Sequence, residues 1–174
     1  MAVPKIRPTG VERTFADDEI IVSKTDPQGR ITYANRVFLR VSGYTELELL
    51  GQPHNILRHP DMPRSVFRLL WHTIANGQEV FAYVVNLAKN GDHYWVLAHV
   101  TPTFDDAGKI TGYHSSRRRP KRDAVQKAQD LYANLLAVEA KHADKRSAMD
   151  ASARVLTDLL ETAGVAYDEF AFSL

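Results

Sequence analysis

The dipeptide Asn90-Gly91 lies between two runs of strand length, residues 78–88 and 92–102, and constrains the fold of this chain more than any other feature. Asparagine and glycine tolerate the left-handed backbone of tight turns, so this pair between alternating segments is the strongest short-range hairpin signal. In the second run Tyr94, Val96, Ala98 and Val100 alternate with His93, Trp95, Leu97 and His99. A period of two puts the first four on one sheet face, which is wholly apolar and must be covered by another layer.

The remaining elements follow from local signals. Residues 19–25 read as a strand, Asp26-Pro27-Gln28-Gly29 as a turn, and residues 30–34 as a returning strand. Asn35 is placed to cap a short helix stopped by Gly43, and Thr45-Glu46-Leu47-Glu48 has the spacing of a capping box, with Gly51 as its end. Residues 52–63 hold three prolines, two histidines and an arginine, too broken for a regular element. Pro63 suits the first turn of a helix over 64–76, whose Phe67, Leu70, Trp71 and Ile74 share a face. Asp105-Asp106-Ala107-Gly108 forms the next turn, before a fifth strand over 110–117. The chain is therefore expected to be an α+β protein built on an antiparallel sheet. Beyond it, five cations between Arg117 and Arg122 read as a solvated basic hinge. Residues 123–142 and 147–163 read as helices; in the second, Met149, Ala153, Leu156, Leu160 and Ala163 keep coiled-coil spacing over about two heptads. Three aromatic residues after Gly164 need a surface to bury against.

Composition sets limits on function. The formal net charge of the 174 residues is +1, which gives no electrostatic reason to expect nucleic acid or an anionic membrane as partner. Cysteine is absent, which excludes disulfides, thiolate metal sites, a cysteine nucleophile and a thiol–flavin photoadduct. No apolar run reaches the roughly 18 residues needed to span a bilayer, and no secretory signal opens the chain, so a cytoplasmic protein is expected.

Ile31-Thr32-Tyr33-Ala34-Asn35 and Ser42-Gly43-Tyr44, after two strands, make the chain resemble a PAS domain. The stretch from Gly51 through Arg58-His59-Pro60-Asp61 to Pro63, with Lys89-Asn90-Gly91-Asp92-His93-Tyr94-Trp95-Val96, resembles the PAS domain of aerotaxis receptors. The resemblance spans about residues 17–118, leaving an arm or cap over 1–16 and a helical extension over 119–174 for output or dimerisation. It implies a PAS fold, with a five-stranded antiparallel sheet and helices over one face, plus C-terminal helices. It also implies a sensor, not an enzyme, that holds FAD noncovalently and reports redox state or oxygen to a protein partner such as the chemotaxis machinery. Family knowledge places flavin binding on Arg58, His59, Asp61 and Asn86. Val80 stands where the family commonly has tryptophan, and Val84-Val85-Asn86-Leu87-Ala88 lacks the family's basic residues, so Phe81 and Trp71 are the aromatics left to wall the flavin.

FAD joins a flat apolar ring with one hydrogen-bonding edge to a pyrophosphate. Arg58 is suited to grip phosphate bidentately; its bland alternative is a pairing with Asp61, which in turn can cap the helix after Pro63. Asn86 lies on an otherwise apolar strand, and a buried amide without partners costs about 1–3 kcal/mol, so a flavin edge would satisfy it. Reduction at the flavin N5 edge turns an acceptor into a donor, and the strand carrying Asn86 would pass that change through the fifth strand to the hinge and helices. His54 and His59 are the candidates for a haem ligand, the alternative cofactor. His54, His59, His72, His93 and His99 lack the i, i+4 pairing of a metal site. Tyr94 and Trp95 lie on opposite faces, so at most one can face a pocket. A second alternative is a cofactor-free interaction module that dimerises through its helices. Residues 119–174 are too few for a kinase, a cyclase or a methyl-accepting signalling domain, so output from these residues is expected to run through a partner or self-association.

Overall fold

The computed structural model describes residues 6–174; the 1–5 part of the expected arm lies outside the described residues. Five antiparallel strands, β1 (Ile21–Thr25), β2 (Ile31–Ala34), β3 (Val80–Leu87), β4 (His93–Phe104) and β5 (Ile110–Arg118), form one sheet in the order β2-β1-β5-β4-β3. The hairpin at Asn90-Gly91 forms in the register set by its alternation, with Asn86 opposite Tyr94 and Val84 opposite Val96. Residues 9–13 run along its tip: the Thr9 and Arg13 amides donate to the Gly91 and His93 carbonyls.

Between β2 and β3 lie helices α1 (Arg36–Ser42), α2 (Glu46–Leu49) and α3 (Arg64–Ala75). Both caps anticipated in this stretch form. The Asn35 side chain accepts from the Phe38 amide, and Thr45 and Glu48 complete a capping box. Gly43 ends α1 with φ 74°, a left-handed conformation that costs glycine little. These helices bury Phe38, Val41, Leu49, Leu70 and Ile74 against the inner sheet face, which carries Ile21, Ile31, Val80, Ala82, Val96 and Val100. The broken stretch before α3 contains one short 3-10 turn, His54–Leu57.

The basic hinge leads into α4 (Arg122–Glu139), followed by α5 (Lys145–Ala163) and α6 (Tyr167–Ser173). Helix α4 packs Ala124, Val125, Ala128, Tyr132 and Leu135 on the outer sheet face, against Tyr83, Val85 and Trp95. The sheet is thus covered on both sides. The seam of α5 turns inward against α3 and α4: Leu156 is buried, while Val155 and Leu159 stay exposed. Helix α6 covers the β3 edge, where the Asp168 carboxylate accepts from the Phe81 amide and Phe172 packs on the Phe81 ring. A paired edge amide is one fewer template for unwanted strand addition.

One carboxylate joins these layers. Glu139 Oε1, at the end of α4, accepts from the Arg64 amide at 2.8 Å, the Ser65 amide at 3.3 Å and Ser152 Oγ of α5 at 2.9 Å. It caps the N-terminus of α3, where its negative charge also meets the positive end of the helix dipole. Asp61, the capping residue expected from its position, stays exposed, because Glu139 occupies those amides from 75 residues away. Glu139→Ala should lower unfolding stability by about 1–3 kcal/mol in urea titrations, since two amides and a hydroxyl lose their acceptor. Glu139→Gln, which keeps an amide oxygen there, should lose less; equal stability of Glu139→Ala and wild type would overturn the role.

Candidate ligand cavity

Period-two alternation decides which β3 residues face inward. Val84 and Asn86 point to the inner side, whereas Tyr83 and Val85 belong to the outer core. Across from them α3 presents Phe67, Leu70, Trp71 and Ile74. Between these walls lies a narrow cavity that opens to solvent at one end. Ala98 and Val100 of β4, and Tyr113 of β5, extend the apolar lining. The Trp71 indole stands edge-on to the Tyr113 ring at 5.7 Å, and it lies against Gly29 of the β1–β2 turn. Gly29 has φ 79°, and a Cβ there would come within 2.6 Å of the indole, so the turn needs glycine on both counts.

Several polar atoms of this lining lack a protein partner. Asn86 Nδ2, Thr25 Oγ1, and Arg117 Nε and Nη1 are buried without a hydrogen bond. Native proteins rarely leave such groups unpaired, so these atoms call for ordered water or a polar ligand as partner. At the mouth, the Arg58 guanidinium donates to the Met62 carbonyl at 3.0 Å and lies over the Phe67 ring at 5.3 Å. Its backbone bridges to Asn86. No carboxylate pairs with Arg58 among the described residues, so the pairing with Asp61 does not form. Arg58 also borders an outer groove shared with His59, Arg64, His142 and Lys145. Burial lowers its pKa from the ordinary arginine value.

The structure brings His54, Arg58, Trp71 and Asn86 to this one cavity. His59 and Asp61 lie outside its lining: His59 Nδ1 accepts from the Asp61 amide at 3.1 Å and its ring neighbours that of His93, so the pair shapes the loop that holds Arg58. Phe81 projects from the opposite sheet face, stacked on His99 at 4.1 Å, so of the two aromatics expected to wall the cavity only Trp71 does so, with Phe67 and Tyr113 beside it. Neither Tyr94 nor Trp95 lines the cavity. Among the described residues no group of three or more His, Asp or Glu side chains could hold a metal ion, and no helix is long and apolar enough to cross a membrane.

Sequence reasoning missed Ser23, Thr25 and Arg117. Arg117 was read as the first residue of a solvated hinge, yet it is 2% exposed and lines the cavity. It is the last inward position of β5, after Tyr113 and Ser115, and that alternation was the signal available. Its neighbour His54 lies with Nε2 at 3.4 Å from Ser23 Oγ. Burial first, and the Arg117 charge second, push the His54 imidazole down to about 3.

A five-stranded antiparallel sheet in this order, with short helices closing a cavity on one face, is the architecture of PAS sensor domains. The chain matches the PAS fold over residues 31–117 and belongs to that family. It is 48% identical over 118 residues to the aerotaxis receptor of Escherichia coli K12, a match covering 68% of this chain and 23% of that protein. It is 31% identical over 99 residues to the nitrogen fixation regulatory protein of Klebsiella pneumoniae, covering 57% of this chain and 20% of the relative. The chain thus spans less than a quarter of the length of these two relatives. Among solved structures, the dark-state LOV domain of the blue-light photoreceptor Aureochrome1 aligns with a TM-score of 0.55 at 27% identity, over 68% of this chain and 86% of that one.

The buried imidazole makes stability depend on acidity. His54 titrates near 6.5 when unfolded and near 3 when folded, so below pH 6.5 the unfolded state binds one proton more. Its contribution is therefore complete above pH 6.5 and falls by about 1.4 kcal/mol per pH unit on acidification. Between pH 6.5 and about 4.5 the wild type should lose roughly 2–3 kcal/mol more than His54→Asn in urea titrations. Equal losses would show that the ring is open to water.

Proposed function

We propose that this chain is the sensory part of a signal-transduction protein, with residues 1–16 as a cap, 17–118 as the sensor and 119–174 as the output extension. It holds FAD noncovalently in the cavity and passes the redox state of the flavin to a protein partner. It works in the cytoplasm and signals by binding, not by turnover; its partners are a second copy of the chain and a component such as the chemotaxis machinery. The observation that carries this reading is the apolar slot whose few polar groups, Asn86 Nδ2 foremost, have no partner within the protein.

The residues present fit a flavin. The slot between Trp71, Leu70 and Ile74 on one side and Val84, Ala98 and Val100 on the other suits a flat ring, and the Asn86 amide suits its hydrogen-bonding edge. Arg58, without a carboxylate and shared between slot and outer groove, suits the pyrophosphate. Bound flavin supplies a reversible redox centre whose edge changes its hydrogen-bonding character on reduction. The similarity to an aerotaxis receptor supports the same choice.

Output has a shorter path than the fifth strand and the hinge. Asn86 faces the cavity from β3, and on the opposite face of that strand the Tyr132 hydroxyl of α4 donates to the Tyr83 carbonyl. Turning the Asn86 amide shifts the strand that α4 rests on. Near the mouth, the Glu139 cap joins α3 to α4 and α5.

Protein purified without added cofactor, or reconstituted with FAD, should show the two-banded flavin absorption and bleach with dithionite. A single intense Soret band would replace FAD with haem; a folded colourless protein that reconstitution leaves unchanged would overturn the cofactor reading. Asn86→Asp removes the donor and should weaken FAD binding roughly five- to hundredfold, corresponding to about 1–3 kcal/mol. If that variant keeps FAD and still changes the protease sensitivity of α4 and α5 on reduction as wild type does, the Asn86 route fails.

A further inference from the structure

The group in the cavity that the reading above leaves unused is the Arg117 guanidinium. It is fully enclosed, and its protein partners are few: Nη2 donates to Ser23 Oγ, and the group lies 4.5 Å over the Phe38 ring. Nε and Nη1 have no acceptor, and no carboxylate pairs with it among the described residues. The titratable groups near it give no countercharge, because burial holds His54 neutral and pushes the Tyr94 phenol well above its ordinary value. The guanidinium itself is lowered by burial to about 10, which still leaves it charged at neutral pH. An uncompensated charge at this depth is costly to the empty protein, and hydrogen-bonded partners of opposite charge are what normally offset such a cost.

We propose that Arg117 is the anion-holding residue of the cavity, its two unpartnered N–H groups receiving the electron-rich edge of a flavin ring and the negative charge that reduction leaves there. The inference rests on the flavin reading and adds a direction to it. Reduction by two electrons and one proton, supplied in the test by dithionite and water, adds one net negative charge to the ring. Arg117 therefore binds the reduced form more tightly than the oxidised form and raises the midpoint potential. The guanidinium offers a planar fork of donors to a ring edge, where a lysine ammonium offers a point charge.

The test is the flavin midpoint potential, measured by slow dithionite reduction beside a reference dye, in wild type, Arg117→Gln and Arg117→Lys. Arg117→Gln should lower the preference for reduced over oxidised flavin ten- to hundredfold, a fall of about 30–60 mV for a two-electron couple. Arg117→Lys, which keeps the charge, should stay nearer to wild type than Arg117→Gln. Without flavin, Arg117→Gln should be at least as stable as the empty wild type, because it removes an uncompensated charge. A flavin-bearing Arg117→Gln with unchanged potential would overturn the proposal and leave the flavin reading standing. So would an Arg117→Gln chain that fails to fold, since its charge would then be a structural requirement. A wild type that takes up no flavin would overturn both.

Discussion

A sheet buried on both faces governs everything else in this molecule. The residues of β3 alternate between the inner face over the cavity and the outer face under α4 and α6, and the period of the strand assigns most of them to one side. Val84 and Asn86 meet the space under α3; Tyr83 and Val85 meet α4. A one-residue slip would exchange the two sets, placing an amide against an apolar helix and a phenol in the slot. The register of the β3–β4 hairpin is thus shared by the chemistry inside and the docking outside. That sharing lets a ligand contact on one face bear on a helix across a single strand.

The local part of this fold was legible because its causes are local. Asn35, Thr45 with Glu48, and Asn90-Gly91 act on backbone groups within a few residues, and each acts where its spacing put it. The docking of α4–α6 was not legible, because it depends on which surface remains uncovered once the sheet exists. The α5 stripe illustrates this: its coiled-coil spacing shows an apolar seam but not whether the partner is a second chain or, as here, α3 and α4 of the same one. The cap of α3 was assigned to the nearest acid, Asp61, whereas a longer side chain from a distant helix takes it. Nothing in the spacing of Glu139 signals that contact.

The site shows the same division. Asn86 was conspicuous because a lone amide in an apolar strand needs a reason, and Arg58 because the family resemblance and its fork of donors suit it to a phosphate; that its backbone bridges to Asn86 only the structure shows. His59 and Asp61, adjacent in sequence to Arg58, do not share its direction: one carries its ring nitrogen back to the loop, the other stays in solvent. Arg117 was concealed by its company. A row of arginines reads as a solvated run, and only strand alternation, carried one residue further than the apolar pattern extends, separates the inward Arg117 from the outward Arg118.

The two cavity arginines stand at different depths, and each is isolated in its own way. Arg58 borders both the slot and the outer groove, with Arg64 and Glu139 as the charges that influence it; Arg117 is enclosed, with Tyr94 as the group that does. The cavity thus has one arginine at its mouth and another enclosed within it, with an apolar lining around them. A small inorganic anion would satisfy one end and leave the slot empty, and a purely apolar ligand would fill the slot and leave both charges bare. The proposed flavin would satisfy all three parts, with its polar edge inward and its anionic tail leaving through the mouth. On that proposal, the positive charge that is costly in the empty protein would become favourable on binding, and the loaded form would be the more stable one.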